Sequence, residues 1–132
     1  MPQAEIDRLR ETYDAFNRGD WDRIEADAHP DFEFIPADRA LNQGTQRGAK
    51  SIRAFFADLF APFEEVRSDP EEIHERGERV VVFVRVRSRP RGSSAIVDNR
   101  IAHVWTMQDG VPVSLQIFPN RADALAAVES PR

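Results

Sequence analysis

"AIVDNRIAHVWTMQDGVPVSLQIF", residues 95–118, holds two runs of strand-like character on either side of a short turn. In the first run Asn99, Ile101, His103, Trp105 and Met107 share one side of an extended chain, because successive side chains point to opposite faces. Three of those five are large and apolar, whereas Asp98, Arg100 and Thr106 stand on the other side. "QDG" then turns the chain, with Gly110 at its end, and "VPVSLQIF" returns as the second arm of a hairpin. The more apolar face of such a hairpin is expected to meet another layer. It carries His103 with it, and an unpaired buried imidazole costs about 1–3 kcal/mol. His103 is therefore expected to hydrogen-bond Asn99, Tyr13, a water or a ligand.

Working back from the hairpin, "ERVVVFVRVRSR" (78–89) reads as a further strong strand, with Val82, Val84 and Val86 on the inner side. Arg85, Arg87 and Arg89 share the opposite side and read as a solvated or partner-facing surface, neutralised by Glu71, Glu72, Glu75 and Glu78. "FEEVRS" and "PEEIHERG" are two weaker strand candidates. Ahead of them Ile52, Phe55, Phe56, Leu59 and Phe60 give a helix from about Ala49 to Ala61 a wide aromatic face. "ADRALNQGTQRG", 37–48, reads as a polar loop long enough to act as a rim or lid. "DFEFIP" reads as a strand ending at Pro36. At the start of the chain Ile6, Leu9, Tyr13 and Phe16 form one helical stripe, which "NRGD" stops. Gly19 suits the left-handed position after that helix, and Asp20 can cap a short second helix with Trp21, Ile24 and Ala28 inward. "NRADALAAV" closes the chain as a helix, with Asn120 as N-cap and Asp123 three residues on.

Helices ahead of a run of antiparallel strands predict an α+β fold: a curved antiparallel sheet whose N-terminal helices close a pocket. The 132 residues fit one domain spanning 1–132, and 41% hydrophobic residues allow one real core. The absence of cysteine excludes disulfides, thiolate metal sites and a cysteine nucleophile. A net charge of −5 argues against a nucleic-acid partner. The polar N-terminus lacks the apolar run of a signal peptide, and no segment reaches membrane-spanning length, so a cytoplasmic location is expected.

The ordered set "AFNRGDWDRI", "HPDFEF", "RGAKSIRAFF", "GERVVVFVRVRSRPRGS", "RIAHVWTMQDGVPVSLQIF" and "RADALAAV" resembles the SnoaL-like branch of the nuclear transport factor 2-like superfamily, which includes ketosteroid isomerase and polyketide cyclases. The resemblance covers nearly the whole chain. It implies a cone whose pocket lies between the concave sheet face and the first three helices. It also implies a homodimer packed through the outer sheet face, with Arg85, Arg87 and Arg89 at or near the contact. By the same resemblance His103 falls where ketosteroid isomerase has an oxyanion-hole aspartic acid on a strand. The isomerase's general base maps to Ile35, which cannot abstract a proton. Its first-helix tyrosine maps closest to Thr12, with Tyr13 one residue off. Steroid isomerisation by that mechanism is therefore not expected.

The expected catalytic set is His103, Asn99 and Tyr13, with His103 as acid or base and Asn99, two positions along on its face, orienting it or donating to an oxyanion. The expected chamber is lined by Trp21, Phe34, Phe56, Phe60, Val84, Trp105, Leu115 and Ile117, which suits a hydrophobic small molecule. No cofactor and no metal are expected, since one histidine and one amide do not make a metal site. His29, beside Pro30, is expected to cap a helix end, and His74 to sit on the surface. Three functions stay open: an isomerase- or cyclase-type enzyme acting on a hydrophobic cyclic carbonyl compound, a non-catalytic binding or scaffold dimer, and epoxide hydrolase-like chemistry at Asp98 and Arg100. The last needs those two residues to face inward, against the parity that turns His103 in.

Overall fold

In the computed structural model, which describes residues 3–36 and 44–129, the hairpin of 97–118 forms the middle of the sheet. The chain runs α1 (Gln3–Asn17), α2 (Trp21–Asp27), β1 (Glu33–Ile35), β2 (Gln46–Arg47), α3 (Ala49–Phe60), β3 (Phe63–Arg76), β4 (Arg79–Pro90), β5 (Val97–Gln108), β6 (Val111–Phe118) and α4 (Arg121–Glu129). The fold is α+β, with helices packed on a curved, unclosed sheet of strand order β2-β1-β6-β5-β4-β3. Between β5 and β6 only Asp109 and Gly110 are left unpaired, at φ 52° and 79°. Two consecutive left-handed residues are what a two-residue hairpin turn with the strands' own twist requires.

The sheet is mixed, which corrects the all-antiparallel expectation: β1 runs parallel to β6, in the register Phe34 opposite Leu115. Two further features differ from the sequence reading. The weak candidates "FEEVRS" and "PEEIHERG" are one 14-residue strand, β3. Pro70 is tolerated in its middle because β3 is an edge strand and its pairing with β4 shifts register between Pro70 and Glu72. Within the stretch read as a loop, Gln46 and Arg47 pair antiparallel with Phe34 and Glu33. The proposed lid at 37–48 falls largely on residues 37–43, outside the described residues.

Side-chain alternation divides the sheet's apolar groups between two cores. On the concave side Ile6, Leu9 and Tyr13 of α1 pack with Val80, Val82, Val84, Trp105, Met107 and Leu115. On the outer side Val81, Phe83, Ala102 and Val104 are covered by Ala124, Leu125 and Val128 of α4. That helix starts on the Asn120 cap, whose Oδ1 accepts from the Asp123 amide at 2.8 Å. Beyond α4 the outer face is charged. Arg85 pairs with Asp98 and Arg87 with Asp69, while Arg100 pairs with Glu71 and Arg121 with Glu72. The arginine row thus keeps its outward place, but its counter-charges are Asp98 and Asp69 rather than the glutamates.

Where α1 ends, Asn17 treats the free edge of β3 as another strand would. Its Oδ1 accepts from the Ser68 amide and its Nδ2 donates to the Ser68 carbonyl, both at 2.8 Å. Ser68 is buried, so water cannot easily replace this pair. Asn17 lies one helical turn beyond Tyr13, and the bond fixes the height and rotation of α1 over the sheet. Asn17→Ala is expected to destabilise the fold by about 1–3 kcal/mol through the orphaned Ser68 amide. Urea unfolding checks this, and a change below about 0.5 kcal/mol would refute it.

Candidate functional site

A cavity of about 280 Å³ opens between the concave sheet face and α1, α2 and α3. Its wall is aromatic. Phe16 meets Trp21, Phe56 and Phe60 edge to face at ring-centre separations of 5.8–6.2 Å. Phe34 lies 4.8 Å from Phe56, and Phe56 stacks on Phe60 at 5.3 Å. Helix spacing explains this wall: Phe56 and Phe60 are one turn apart on α3, and Phe16 approaches them from α1. Trp105, Leu115, Ile117, Val86 and Ile101 form the floor. The polar side chains at the cavity are few: Arg8, Thr12, Tyr13, Glu25, Asp27, Ser68 and His103. Glu25 and Asp27 each face an arginine, Arg53 at 3.4 Å and Arg23 at 3.2 Å respectively.

His103 is 7% exposed, faces this cavity and shares its side of β5 with Trp105. Its partner is Tyr13. The Tyr13 hydroxyl lies 2.6 Å from His103 Nδ1, and Trp105 Nε1 donates to the same hydroxyl oxygen at 2.9 Å. The tyrosine and imidazole planes are within 11° of parallel, with ring centres 5.7 Å apart. The Thr12 hydroxyl donates to the Arg8 carbonyl within α1. Among the described residues, no hydrogen bond is made to Nε2, the imidazole's other nitrogen.

Burial alone pushes the His103 pKa down from 6.5 to about 3, because no counter-charge compensates for the lost hydration. Burial pushes the Tyr13 hydroxyl far up, the Trp105 bond opposing it only in part. Both groups are therefore uncharged at neutral pH. Acid–base exchange by His103 near neutrality does not fit this environment; a neutral imidazole does.

The remaining expected residues sort by distance along their strands. Tyr13, Trp21, Phe34, Phe56, Phe60, Trp105, Leu115 and Ile117 all line the cavity. Val84 does not: it is 1% exposed and lies within the concave core. Asn99 does not either. It is exposed, and its Oδ1 accepts from the Arg100 amide. Parity puts Asn99 on the His103 face, but four residues of strand carry it about 13 Å along β5, where it is exposed. Asp98 and Arg100 are exposed in ion pairs on the outer face, which removes the epoxide hydrolase-like arrangement. His29 holds the turn after α2, its Nδ1 accepting from the Asp31 amide. His74 pairs with Glu72 and lies against Phe83 on the outer face. Among the described residues no group of three or more acidic, histidine or cysteine side chains is placed to hold a metal ion, and no helix is long and apolar enough to cross a membrane. The sequence reading missed Arg8, Glu25 and Asp27; their charge pointed to solvent, and nothing in their spacing separates a cavity rim from an exposed helix face.

The buried imidazole makes stability depend on pH. Between about pH 3 and 6.5 the unfolded chain binds a proton at this histidine that the folded chain does not, so stability falls as pH falls through that window. From pH 7 to pH 5 the loss is about 2 kcal/mol. The double variant Tyr13→Phe/His103→Phe is expected to lack this component. Urea unfolding of both proteins at the two pH values tests it; equal pH dependence would show that His103 binds its proton as readily in the folded chain as in the unfolded one.

The chain matches the family model of the SnoaL-like domain over residues 9–114. No curated protein matches it. Among solved structures it is similar to a nuclear transport factor 2-like protein of unknown function from Burkholderia pseudomallei K96243, with 26% identity and a TM-score of 0.79, covering 98% of this chain and 100% of that one. It is similar to TerC, crystallised with polyporic acid, at 25% identity and a TM-score of 0.78, with 96% and 99% covered. A protein described as a SnoaL-like polyketide cyclase from Jannaschia sp. CCS1 has the same fold at 22% identity and a TM-score of 0.69, over 97% and 91% of the two chains. With helices, sheet order and family match in agreement, the chain belongs to the SnoaL-like domain family.

Proposed function

We propose that the chain is a small-molecule pocket protein of the polyketide cyclase and isomerase kind, which takes a hydrophobic cyclic carbonyl compound and polarises its carbonyl oxygen with His103. The observation that carries this reading is one nearly buried, uncharged imidazole, its Nε2 unbonded among the described residues, facing a cavity whose lining is mostly aromatic and aliphatic. A flat apolar body fits the wall formed by Phe16, Trp21, Phe34, Phe56 and Phe60. A carbonyl oxygen fits against the His103 imidazole. The co-crystallisation of TerC with polyporic acid, a property of that protein, is compatible with a cyclic ligand here. His103 then acts as an electrophile that stabilises negative charge growing on the oxygen, rather than as the acid or base expected from its ordinary pKa.

A second reading has a specific observation behind it. The carboxylates at the cavity, Glu25 and Asp27, are each held beside an arginine, and Ile35 stands where a base would be expected by resemblance. A pocket of that kind binds a carbonyl compound without turning it over. The two readings separate with 2-acetonaphthone as probe. Both expect it to bind and to quench Trp21 or Trp105 fluorescence. Only the enzyme reading expects the protein to speed deuterium uptake at its methyl group in D₂O, followed by NMR. His103→Phe is expected to remove any such acceleration. Failure of the probe to bind would count against both readings.

The outer sheet face is proposed as the contact of a homodimer, as the family resemblance implies. Ile96 is 61% exposed just ahead of β5, two residues before Asp98 of the Arg85–Asp98 pair. Sedimentation at micromolar concentration should give twice the mass of the chain, and high salt should weaken the association. A monomer at that concentration would rule the contact out.

A further inference from the structure

We propose that Tyr13 is a positioning residue that fixes the proton of His103 on Nε2, so that the cavity presents a permanent hydrogen-bond donor and selects ligands by an acceptor atom. The inference rests on the carbonyl-binding reading above for its ligand, and on hydrogen-bond geometry for its mechanism.

The argument is a count of protons along a buried chain. Trp105 Nε1 can only donate. At 2.9 Å from the Tyr13 oxygen, it makes that oxygen an acceptor. Tyr13 has one proton of its own and is 4% exposed, so water does not take that proton. The acceptor within reach is His103 Nδ1, at 2.6 Å. A nitrogen that accepts carries no proton, and a neutral imidazole carries one in total, so it sits on Nε2. The reverse arrangement has Nδ1 donating to Tyr13. The phenol oxygen then accepts twice and its own O–H is left buried without an acceptor, the expensive kind of unmade bond. Direction therefore runs one way, from Trp105 through Tyr13 to His103, and ends at the cavity.

This makes the two aromatic partners unequal. Removing the Tyr13 hydroxyl takes away the donor that keeps Nδ1 bare, and either tautomer becomes available. Removing the Trp105 N–H leaves the tyrosine proton with the same acceptor, so the tautomer persists. Neither packing nor ring stacking predicts that difference, since both substitutions, Tyr13→Phe and Trp105→Phe, keep an aromatic ring.

The experiment is ¹⁵N NMR of histidine-labelled protein at pH 7, with the His103→Phe spectrum assigning the signal. In the wild type, His103 is expected to show Nε2 as the proton-bearing nitrogen and Nδ1 as the bare one. Trp105→Phe is expected to keep that pattern, and Tyr13→Phe to average it. The functional arm compares 2-acetonaphthone with 2-ethylnaphthalene, a probe of similar shape without the acceptor. The ratio of their dissociation constants is expected to move by about twofold toward 2-ethylnaphthalene in Tyr13→Phe, since the donor tautomer is then populated only part of the time. A bare Nε2 in the wild type overturns the proposal. So does a Tyr13→Phe variant with the wild-type tautomer, or a Trp105→Phe variant that loses it. Should Tyr13→Phe not fold, the wild-type and Trp105→Phe spectra decide. If the tautomer pattern is as stated but neither probe binds, the carbonyl-ligand reading fails while the positioning role of Tyr13 stands.

Discussion

A hydroxyl held between an indole and an imidazole joins the first helix to the middle of the sheet. Tyr13 stands 92 positions before Trp105 in the chain and 90 before His103, and its oxygen bonds to both. All three groups are buried, so each bond is made in a medium where leaving it unmade is costly. The geometry this needs is narrow. α1 has to lie at one height over β5, which the Asn17 amide fixes one turn further on by bonding to the edge of β3. β5 has to carry Trp105 and His103 on one face, which strand alternation does. Helix position, strand parity and the chemistry of the cavity floor are thus one constraint.

The same alternation explains how much of the site was legible. Parity depends only on counting, and it put His103 and Trp105 inside and Asp98 and Arg100 outside. Parity carries no information about where the covering layer stops. Asn99 shares the inner face but is exposed; Val84 shares it but sits where the concave core is filled. Both errors are errors of extent. β1 was legible in "DFEFIP", but β2 escaped for a different reason: two residues cannot display a period, and the pairing of β2 with β1 and of β1 with β6 is a property of tertiary contact alone. β3 was read as two pieces because Pro70 interrupts its pattern, and only edge position makes a proline harmless there.

Charge is distributed with the opposite logic. The outer face beyond α4 carries arginines paired with Asp69, Asp98 and Glu71, all at least partly hydrated, where such pairs contribute little to stability and serve mainly to fix which surfaces can meet. Inside, the cavity floor holds no ion. Among the described residues two carboxylates reach the cavity, and each is accompanied by an arginine. The imidazole that does stand inside loses its charge to burial.

An uncharged imidazole with one nitrogen already bonded has fewer options than a free histidine. It cannot take up a proton near neutrality, because the cation would be dehydrated with no carboxylate beside it. It cannot readily hand its own proton away either. The replacement would have to come from Tyr13 through Nδ1, and burial opposes the tyrosinate that remains. What is left is to donate a hydrogen bond without parting with the proton. In an apolar chamber that interaction is stronger than in water and needs no reorganisation when a ligand's oxygen gains charge. The features that disqualify His103 as a proton shuttle are therefore the ones that suit it to polarise a carbonyl.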